Sequence, residues 1–139
     1  MASIATNQFK TYLMDGITIL SAGNYKCALV TSAIITCANL DDYTTYNQVS
    51  ATEVTGTGYT VGGQLLSGLS VTQNDTTNQA IWSAGDTIWT NSTIPNVRGA
   101  IIYTSGTNKF LSFTDFGSLN SSQNSNFQIS WTGGICNLN

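Results

Sequence analysis

Short runs with a two-residue period dominate the chain from Tyr25 onward, and they constrain its fold more than any other feature. Successive side chains of a strand point to opposite faces of a sheet, so alternating apolar and polar residues indicate a half-buried strand. These runs recur at short spacing, with turn-forming residues between them. We predict strands at 25–31, 64–71, 79–83, 87–90, 98–104, 109–116 and 127–131.

This series of strands favours one class of fold. Many short strands joined by turns are typical of an antiparallel sandwich, and segment 100–103 is apolar on both faces, as in a central strand. We predict a mainly β fold, an antiparallel β-sandwich of the jelly-roll type with one short N-terminal helix. The 139 residues fit a single domain, 1–139, with an N-terminal arm and helix at 1–24 and the sandwich at 25–139.

The predicted helix covers residues 3–16. Phe9, Tyr12 and Leu13 recur there at three- and four-residue spacing, which is the period of a helix face. Asn7 is suited to cap the start of this helix, and Gly16 is suited to end it.

Three other stretches lack a clear period. Segment 32–51 predicts a long connection with one helical turn, and a connection of that length is usually functional or an interface arm. The Gly- and Thr-rich segment 53–63 predicts an extended, kinked chain. The polar run 118–126 predicts a hairpin loop.

Charged residues are unusually scarce in this chain. Only 8% of residues are charged, against roughly 25% in a typical soluble domain, whereas 57 residues are Thr, Ser, Asn or Gln. Neutral hydroxyls and amides can be buried at low cost when they are hydrogen-bonded. This composition therefore favours a protein whose faces meet other subunits. The alternative is the preference of β-proteins for Thr on exposed strands.

The charges also bear on the partners of the chain. The net charge is −3, and the four basic residues, Lys10, Lys26, Arg98 and Lys109, are dispersed along the sequence. Binding to nucleic acid or to an anionic membrane requires clustered basic residues, so we expect neither partner. No apolar run is long enough to span a membrane. Polar residues interrupt the first fifteen positions, so we expect no secretory signal and synthesis in a cytoplasm.

The sequence carries no catalytic constellation that we can identify. It has no histidine, which excludes Ser–His and Cys–His pairs and most zinc sites. Cys27, Cys37 and Cys136 contain no Cys-x-x-Cys pair, and Asp41-Asp42 lacks the rest of a calcium loop. We predict no catalytic residue, no metal and no cofactor. We expect reduced thiols, at least two of them in the core; a Cys27–Cys37 or intersubunit disulfide is the alternative.

The aromatic residues allow two interpretations. Trp82, Trp89 and Trp131, together with six tyrosines, are suited to a platform on which sugar rings stack. The other interpretation is core packing, because Trp131 lies in phase with Phe127 and Ile129 on one strand face.

The order of segments along the chain carries a family resemblance. The segments are Tyr-Lys-Cys-Ala-Leu-Val-Thr-Ser at 25–32, Asp-Asp-Tyr at 41–43, Glu-Val-Thr-Gly-Thr-Gly-Tyr-Thr-Val-Gly-Gly at 53–63, Arg-Gly-Ala-Ile-Ile-Tyr at 98–103 and Phe-Gln-Ile-Ser-Trp-Thr-Gly-Gly-Ile at 127–135. From about residue 7 to residue 135, this order resembles a group of small virion structural proteins of tailed bacteriophages.

The resemblance implies a non-enzymatic role in the virion, after synthesis in the host bacterial cytoplasm. It implies a capsid decoration or cement protein, with the major capsid protein and two further copies of itself, in a homotrimer, as partners. The alternative is a module of the tail, collar or fibre that binds host carbohydrate.

Segments 1–10 and 33–50 lie outside the regular strand pattern, so we expect them to make most of the contacts with partners. The predicted interface residues are Ile4, Phe9, Lys10, Asp41, Asp42, Tyr43, Tyr46 and Tyr59. Deletion of residues 1–6 is expected to abolish binding to particles and to leave the fold intact.

Overall fold

Two antiparallel sheets and one α-helix make up the fold in the computed structural model, which describes residues 2–18 and 20–139. The helix is α1 (Asn7–Met14). The strands are β1 (Ala2–Ala5), β2 (Tyr25–Val30), β3 (Gln64–Leu65), β4 (Ser70–Asn74), β5 (Gln79–Ser83), β6 (Thr87–Thr104), β7 (Phe110–Ile129) and β8 (Cys136–Leu138). One sheet has the order β1-β7-β6-β2-β3 and the other β4-β5-β8. The predicted mainly β, antiparallel two-sheet fold is confirmed, whereas the jelly-roll connectivity stays a prediction.

Both faces of the five-stranded sheet are covered. On one face, Cys27 and Leu29 of β2 meet a cluster that includes residues of α1 and of the three-stranded sheet. Trp82 of β5 lies at the centre of this cluster, with its ring 5.7 Å from that of Phe9 and 5.1 Å from that of Tyr25. The small sheet and the helix together therefore form the second layer of the sandwich.

On the opposite face, the connection that follows β2 forms the cover. It contains four short 3-10 helices, Ser32–Thr36, Leu40–Asp42, Tyr46–Gln48 and Ser50–Thr52, where the sequence predicts one helical turn. Ile34 and Leu40 from these helices, and Val49 between the last two, are buried against Val30 and Ile101 of the sheet. This segment lacks a clean period in the sequence because its buried apolar residues, Ile34, Leu40 and Val49, are few and unevenly spaced.

The N-terminal segment differs from the predicted helix 3–16. Residues Ala2–Ala5 form β1, which pairs with β7 in the register Ala2↔Asp115 to Ala5↔Ser112. The helix begins only after Thr6, whose side chain accepts a hydrogen bond from the backbone N–H of Phe9 at 3.2 Å, so Thr6 and not Asn7 is the cap. Backbone pairing with a distant strand overrides the local helical pattern here. Of the predicted N-terminal arm and helix at 1–24, residues 2–5 are therefore part of the main sheet.

β6 and β7 form one long hairpin, in which the predicted strands 87–90 and 98–104 are parts of β6, and the predicted strands 109–116 and 127–131 lie largely in β7. Segment 118–126, predicted as a loop, continues β7. The pairing register shifts several times between Trp89 and Gly99, and polar side chains supply hydrogen bonds at these shifts. Ser122 Oγ accepts from the backbone N–H of Ile94 at 3.2 Å, and Ser121 Oγ accepts from Asn96 at 3.0 Å. A polar sequence can continue a strand here because its hydroxyls replace missing ladder bonds.

The remaining strands show two further differences. The predicted strand 64–71 is divided into β3 and β4, which belong to different sheets. Strand β8, which pairs with β5, was not predicted. Within the described part of the chain, no helix has the length and apolar character needed to cross a bilayer.

Candidate functional site

A groove of about 630 Å³ lies between β1, an edge strand of the five-stranded sheet, and β8, an edge strand of the three-stranded sheet. Its walls come from β1, with Ile4 and Ala5, and from segment 133–138, which includes β8. Lys10 of α1 and Asp41 also line it. We call this site the edge groove.

The junction of β1 and α1 fixes one wall of the edge groove. Thr6 is fully buried; its backbone N–H donates to Leu111 O at 2.9 Å and its hydroxyl donates to Phe110 O at 3.0 Å. The chain is thereby anchored on β7 at the residue where strand changes to helix. Lys10, one turn into the helix, is held beside β1 as a result.

Asp41 reaches the groove through the connection on the other side of the sheet. It lies in the 3-10 helix Leu40–Asp42, which is anchored by the buried side chain of Leu40. Asn39 precedes it in the left-handed region, with φ of 54°. The neighbouring Asp42 accepts a hydrogen bond from the side-chain amide of Asn7 at 2.8 Å, which ties this segment to the start of α1.

The edge groove combines apolar and polar surface without net charge. Ile4 is 40% exposed and Leu138 is 42% exposed, while Lys10 and Asp41 supply one charge of each sign. β1 and β8 are the terminal strands of the two sheets that the described residues form, so their outer backbone groups are available to an added strand. The arrangement is suited to bind an extended protein segment.

Tyr46 and Tyr59 lie apart from this groove, around the half-buried Glu53. Their hydroxyls donate to the two carboxylate oxygens of Glu53, and the backbone N–H of Gly62 donates to Oε1 at 2.7 Å. The Tyr59 hydroxyl also accepts from the backbone N–H of Leu29 at 3.0 Å. We call these residues the Glu53 cluster; it covers the outer edge of β2.

Tyr103 completes the Glu53 cluster. Its ring stacks on that of Tyr46 with centroids 4.4 Å apart, and its hydroxyl donates to Gly62 O at 2.5 Å. Burial, with smaller contributions from Glu53 and Cys27, raises the pKa of Tyr103 to about 12. Burial and then the hydrogen bond to Glu53 raise the pKa of Tyr46 and Tyr59 as well. All three phenols stay protonated near neutral pH, so they serve as hydrogen-bond donors that hold the fold together.

The predicted interface residues therefore fall into separate places. Ile4, Lys10 and Asp41 come together in the edge groove, with Asp42 next to it, whereas Tyr46 and Tyr59 meet on Glu53. Tyr43 is half-buried against the core cluster that covers the second sheet face. Phe9 is fully buried, so its expected contact with a partner is wrong and its role is packing. Sequence reasoning missed Leu138, although Cys136 and Leu138 alternate with Asn137 as in a strand.

The aromatic and cysteine predictions also have clear outcomes. Trp82, Trp89 and Trp131 are 2%, 5% and 1% exposed, so core packing is confirmed and they form no sugar platform. All three cysteines are free, with Cys27 and Cys136 buried as expected. Cys27 and Cys37 pack in clusters on opposite faces of the five-stranded sheet, so no disulfide joins them. Within residues 2–18 and 20–139, no group of three or more Cys, Asp or Glu is placed to hold a metal ion.

Comparison of the chain with protein-family models, with curated proteins and with solved structures finds no match. The arguments for a function therefore come from the residues and geometry of this chain.

Proposed function

We propose that this chain is a non-enzymatic structural protein of a phage particle that decorates or cements the capsid through contacts with the major capsid protein. The order of segments from 25–32 to 127–135 supports the virion assignment through its resemblance to small virion proteins. One structural observation carries the mode of attachment: the edge groove gathers Ile4, Lys10 and Asp41 between two terminal strands.

The groove has the properties expected of a docking site. Protein interfaces combine an apolar centre with a polar rim, and here Ile4 and Leu138 supply the centre while Lys10 and Asp41 supply the rim. The terminal strands add main-chain hydrogen bonds to whichever extended segment lies in the groove. One such contact is small, so attachment to a shell depends on many copies binding together.

The proposal includes assembly as a homotrimer, because a cyclic trimer matches the three-fold positions of a capsid lattice. Uncharged faces rich in Thr, Ser and Asn support such contacts between copies, since only 8% of residues carry charge. Light scattering at several protein concentrations measures the mass of the assembly, and the expected value is three times the 14.8 kDa of one chain.

Binding to particles is the decisive test. Particles that lack the chain are incubated with purified protein and sedimented, and the bound fraction is measured. Asp41→Lys is expected to lower the apparent affinity roughly tenfold, because it reverses one rim charge. Asp75→Lys is the matched control, since Asp75 is also exposed but lies in the turn between β4 and β5. Absence of wild-type binding, or equal loss in both variants, would overturn the proposal.

Point substitutions are preferable to the deletion of residues 1–6. The structure changes the expected outcome of this deletion: it removes β1 and the buried Thr6 cap, so we expect it to destabilise the fold as well as to impair binding. Ile4→Thr is a better probe of the groove wall: Ile4 is 40% exposed, and threonine keeps the β-branched shape that suits a strand.

A further inference from the structure

A second groove, of about 420 Å³, lies along the outer half of β7. Its apolar lining residues are Phe116, Phe127 and Ile129, of which the latter two belong to the core and are only 7% and 3% exposed. Uncharged polar side chains, among them Ser118, Asn120, Asn126 and Gln128, line its sides. We call this site the β7 groove; none of its lining residues is charged.

The backbone beside this groove is irregular. Such a backbone pairs poorly with an added strand and is more typical of a ligand site. The β6–β7 pairing is regular from Thr87 to Trp89 and again from Gly99 to Ile102, but its register shifts between these stretches. Gly117 and Asn124 of β7 have positive φ, of 81° and 49°. Bulges blunt a strand edge against added strands and turn side chains in new directions, and they are frequent next to binding sites.

The amide side chains of the groove are held in place and still have hydrogen-bonding capacity. Gln128 Nε2 donates to Asp86 Oδ2 at 2.7 Å, and Asn126 Oδ1 accepts from the backbone N–H of Asn91 at 3.2 Å. Asn120 Nδ2 donates to Ser118 O at 3.1 Å. Each of these bonds leaves the other amide atom available, so the groove presents acceptors from Gln128 and Asn120 and a donor from Asn126 at fixed positions.

We propose that the β7 groove binds a neutral saccharide built of pyranose rings. The half-buried ring of Phe116 offers an apolar surface to the C–H face of a sugar, and the amides match its hydroxyls. The volume lies in the range of roughly 300–1,000 Å³ that small-ligand sites occupy. The absence of charge disfavours phosphorylated or carboxylated ligands, because nothing in the groove would balance their charge. This site goes beyond the proposed function, since capsid docking uses the edge groove.

The test is a titration of isotope-labelled full-length chain followed by backbone amide NMR. The probes are D-glucose, D-galactose and N-acetyl-D-glucosamine, each added up to roughly 100 mM, because one ring binds weakly, with dissociation constants in the millimolar range. At least one probe is expected to shift the amides of Phe116, Asn126 and Gln128 in a saturable way. If no probe shifts them, or if shifts spread over the surface without saturation, the proposal is wrong.

Two variants make the test specific. Gln128→Ala is expected to weaken binding by roughly five- to tenfold, which is the effect of losing one hydrogen bond. Gln73→Ala is the matched control, because Gln73 is also an exposed strand residue but lies on β4. Phe116→Leu keeps an apolar side chain and removes the ring, so it is expected to weaken binding as well. Equal affinities of Gln128→Ala and Gln73→Ala would overturn the assignment.

The two proposals can fail separately. Asp41→Lys alters the edge groove and is expected to leave saccharide binding unchanged, whereas Gln128→Ala is expected to leave the binding to particles unchanged. Loss of both activities in either variant would indicate a damaged fold, which thermal unfolding of the same samples detects.

Discussion

Glu53 shows at the scale of one residue how side chains can take the place of a missing strand. It lies in a bridge with Val30 at the end of β2, where β3 covers only Lys26 and Cys27. The Tyr59 hydroxyl accepts the N–H of Leu29, and Glu53 in turn accepts the hydroxyl of Tyr59. Because an uncovered strand edge can pair with other chains, this polar cover also protects the sheet.

We expect Glu53→Gln to lower the free energy of unfolding by about 2 kcal/mol, because a neutral amide accepts through one oxygen only and leaves Tyr46 or Tyr59 without its partner. Urea denaturation measures the change. Asp41→Asn removes a charge at an exposed site and is the control, with an expected change below about 0.5 kcal/mol. Similar values for the two variants would show that the Glu53 cluster adds nothing to stability.

The same cluster predicts a loss of stability at alkaline pH. The pKa of Tyr103 in the folded chain, about 12, lies above its ordinary value of 10.0. Folding therefore favours the protonated phenol; this contribution is complete below pH 10 and is lost as the pH rises from 10 towards 12. Denaturation between about pH 8 and pH 12, with tyrosinate absorbance as a second signal, tests this. The free energy of unfolding of Tyr103→Phe should fall less steeply with pH over the same range. An equal slope in the variant and the wild type would contradict the role given to Tyr103.

At the scale of elements, the close approach of β3 to β2 depends on one glycine. Gly63 has φ of +72°, and a Cβ atom there would lie 1.8 Å from the carbonyl oxygen of Cys27. No side chain fits at this position unless the two segments separate. The Gly- and Thr-rich composition of 53–63 predicts a kinked, extended chain, and the four glycines with positive φ or tight packing in this stretch agree with it.

We expect Gly63→Ala to destabilise the chain by more than about 3 kcal/mol, since it adds a backbone clash to the cost of positive φ. Gly106→Ala separates the two causes. Gly106 also has positive φ, +91°, but nothing lies within 4 Å of its would-be Cβ, so only about 1–2 kcal/mol is expected. Thermal or urea unfolding measures the loss of stability in each variant. Equal losses would show that the positive φ alone, and not the backbone clash at Gly63, causes the destabilisation.

The long hairpin shows why some elements could not be predicted from local patterns. Segment 118–126 is polar and rich in Ser and Asn, which is typical of a loop. It continues β7 because its partner strand supplies hydrogen bonds from a distance of up to 35 positions along the chain, as between Asn126 and Asn91. Likewise, β1 contains only four residues and exists because β7 offers an edge to it. Such pairings depend on residues far apart in the sequence.

At the scale of the whole molecule, two apolar clusters on either side of one sheet bury most of the reactive groups. Cys27 is fully buried and Cys136 nearly so, and burial raises the pKa of both thiols. Cys37, which is half-buried, lies in the connection that covers the other face. Because the thiolate is the reactive form, the fold itself controls which thiols can react.

We expect one thiol per native chain to react with a disulfide reagent in a fast phase. Cys27 and Cys136 should react only at the rate of unfolding, because both are buried and their pKa values are raised. Cys37→Ser should abolish the fast phase and leave the slow phase unchanged. Two or more fast thiols in the native chain would show that one cluster opens independently of the other.

Features that depend on neighbours along the chain could be predicted from the sequence. Alternating apolar residues specify the strands near Tyr25 and Phe127, an unbroken apolar run specifies the strand near Ala100, and helical spacing specifies α1 around Phe9. The lack of histidine and the scarcity of charge belong to the composition. The positions at which the sheets end could not be predicted in this way, because strand pairing is set by backbone contacts between distant segments. The meeting of Ile4, Lys10 and Asp41 in the edge groove, like the β7 groove, results from that pairing and leaves no local pattern in the sequence.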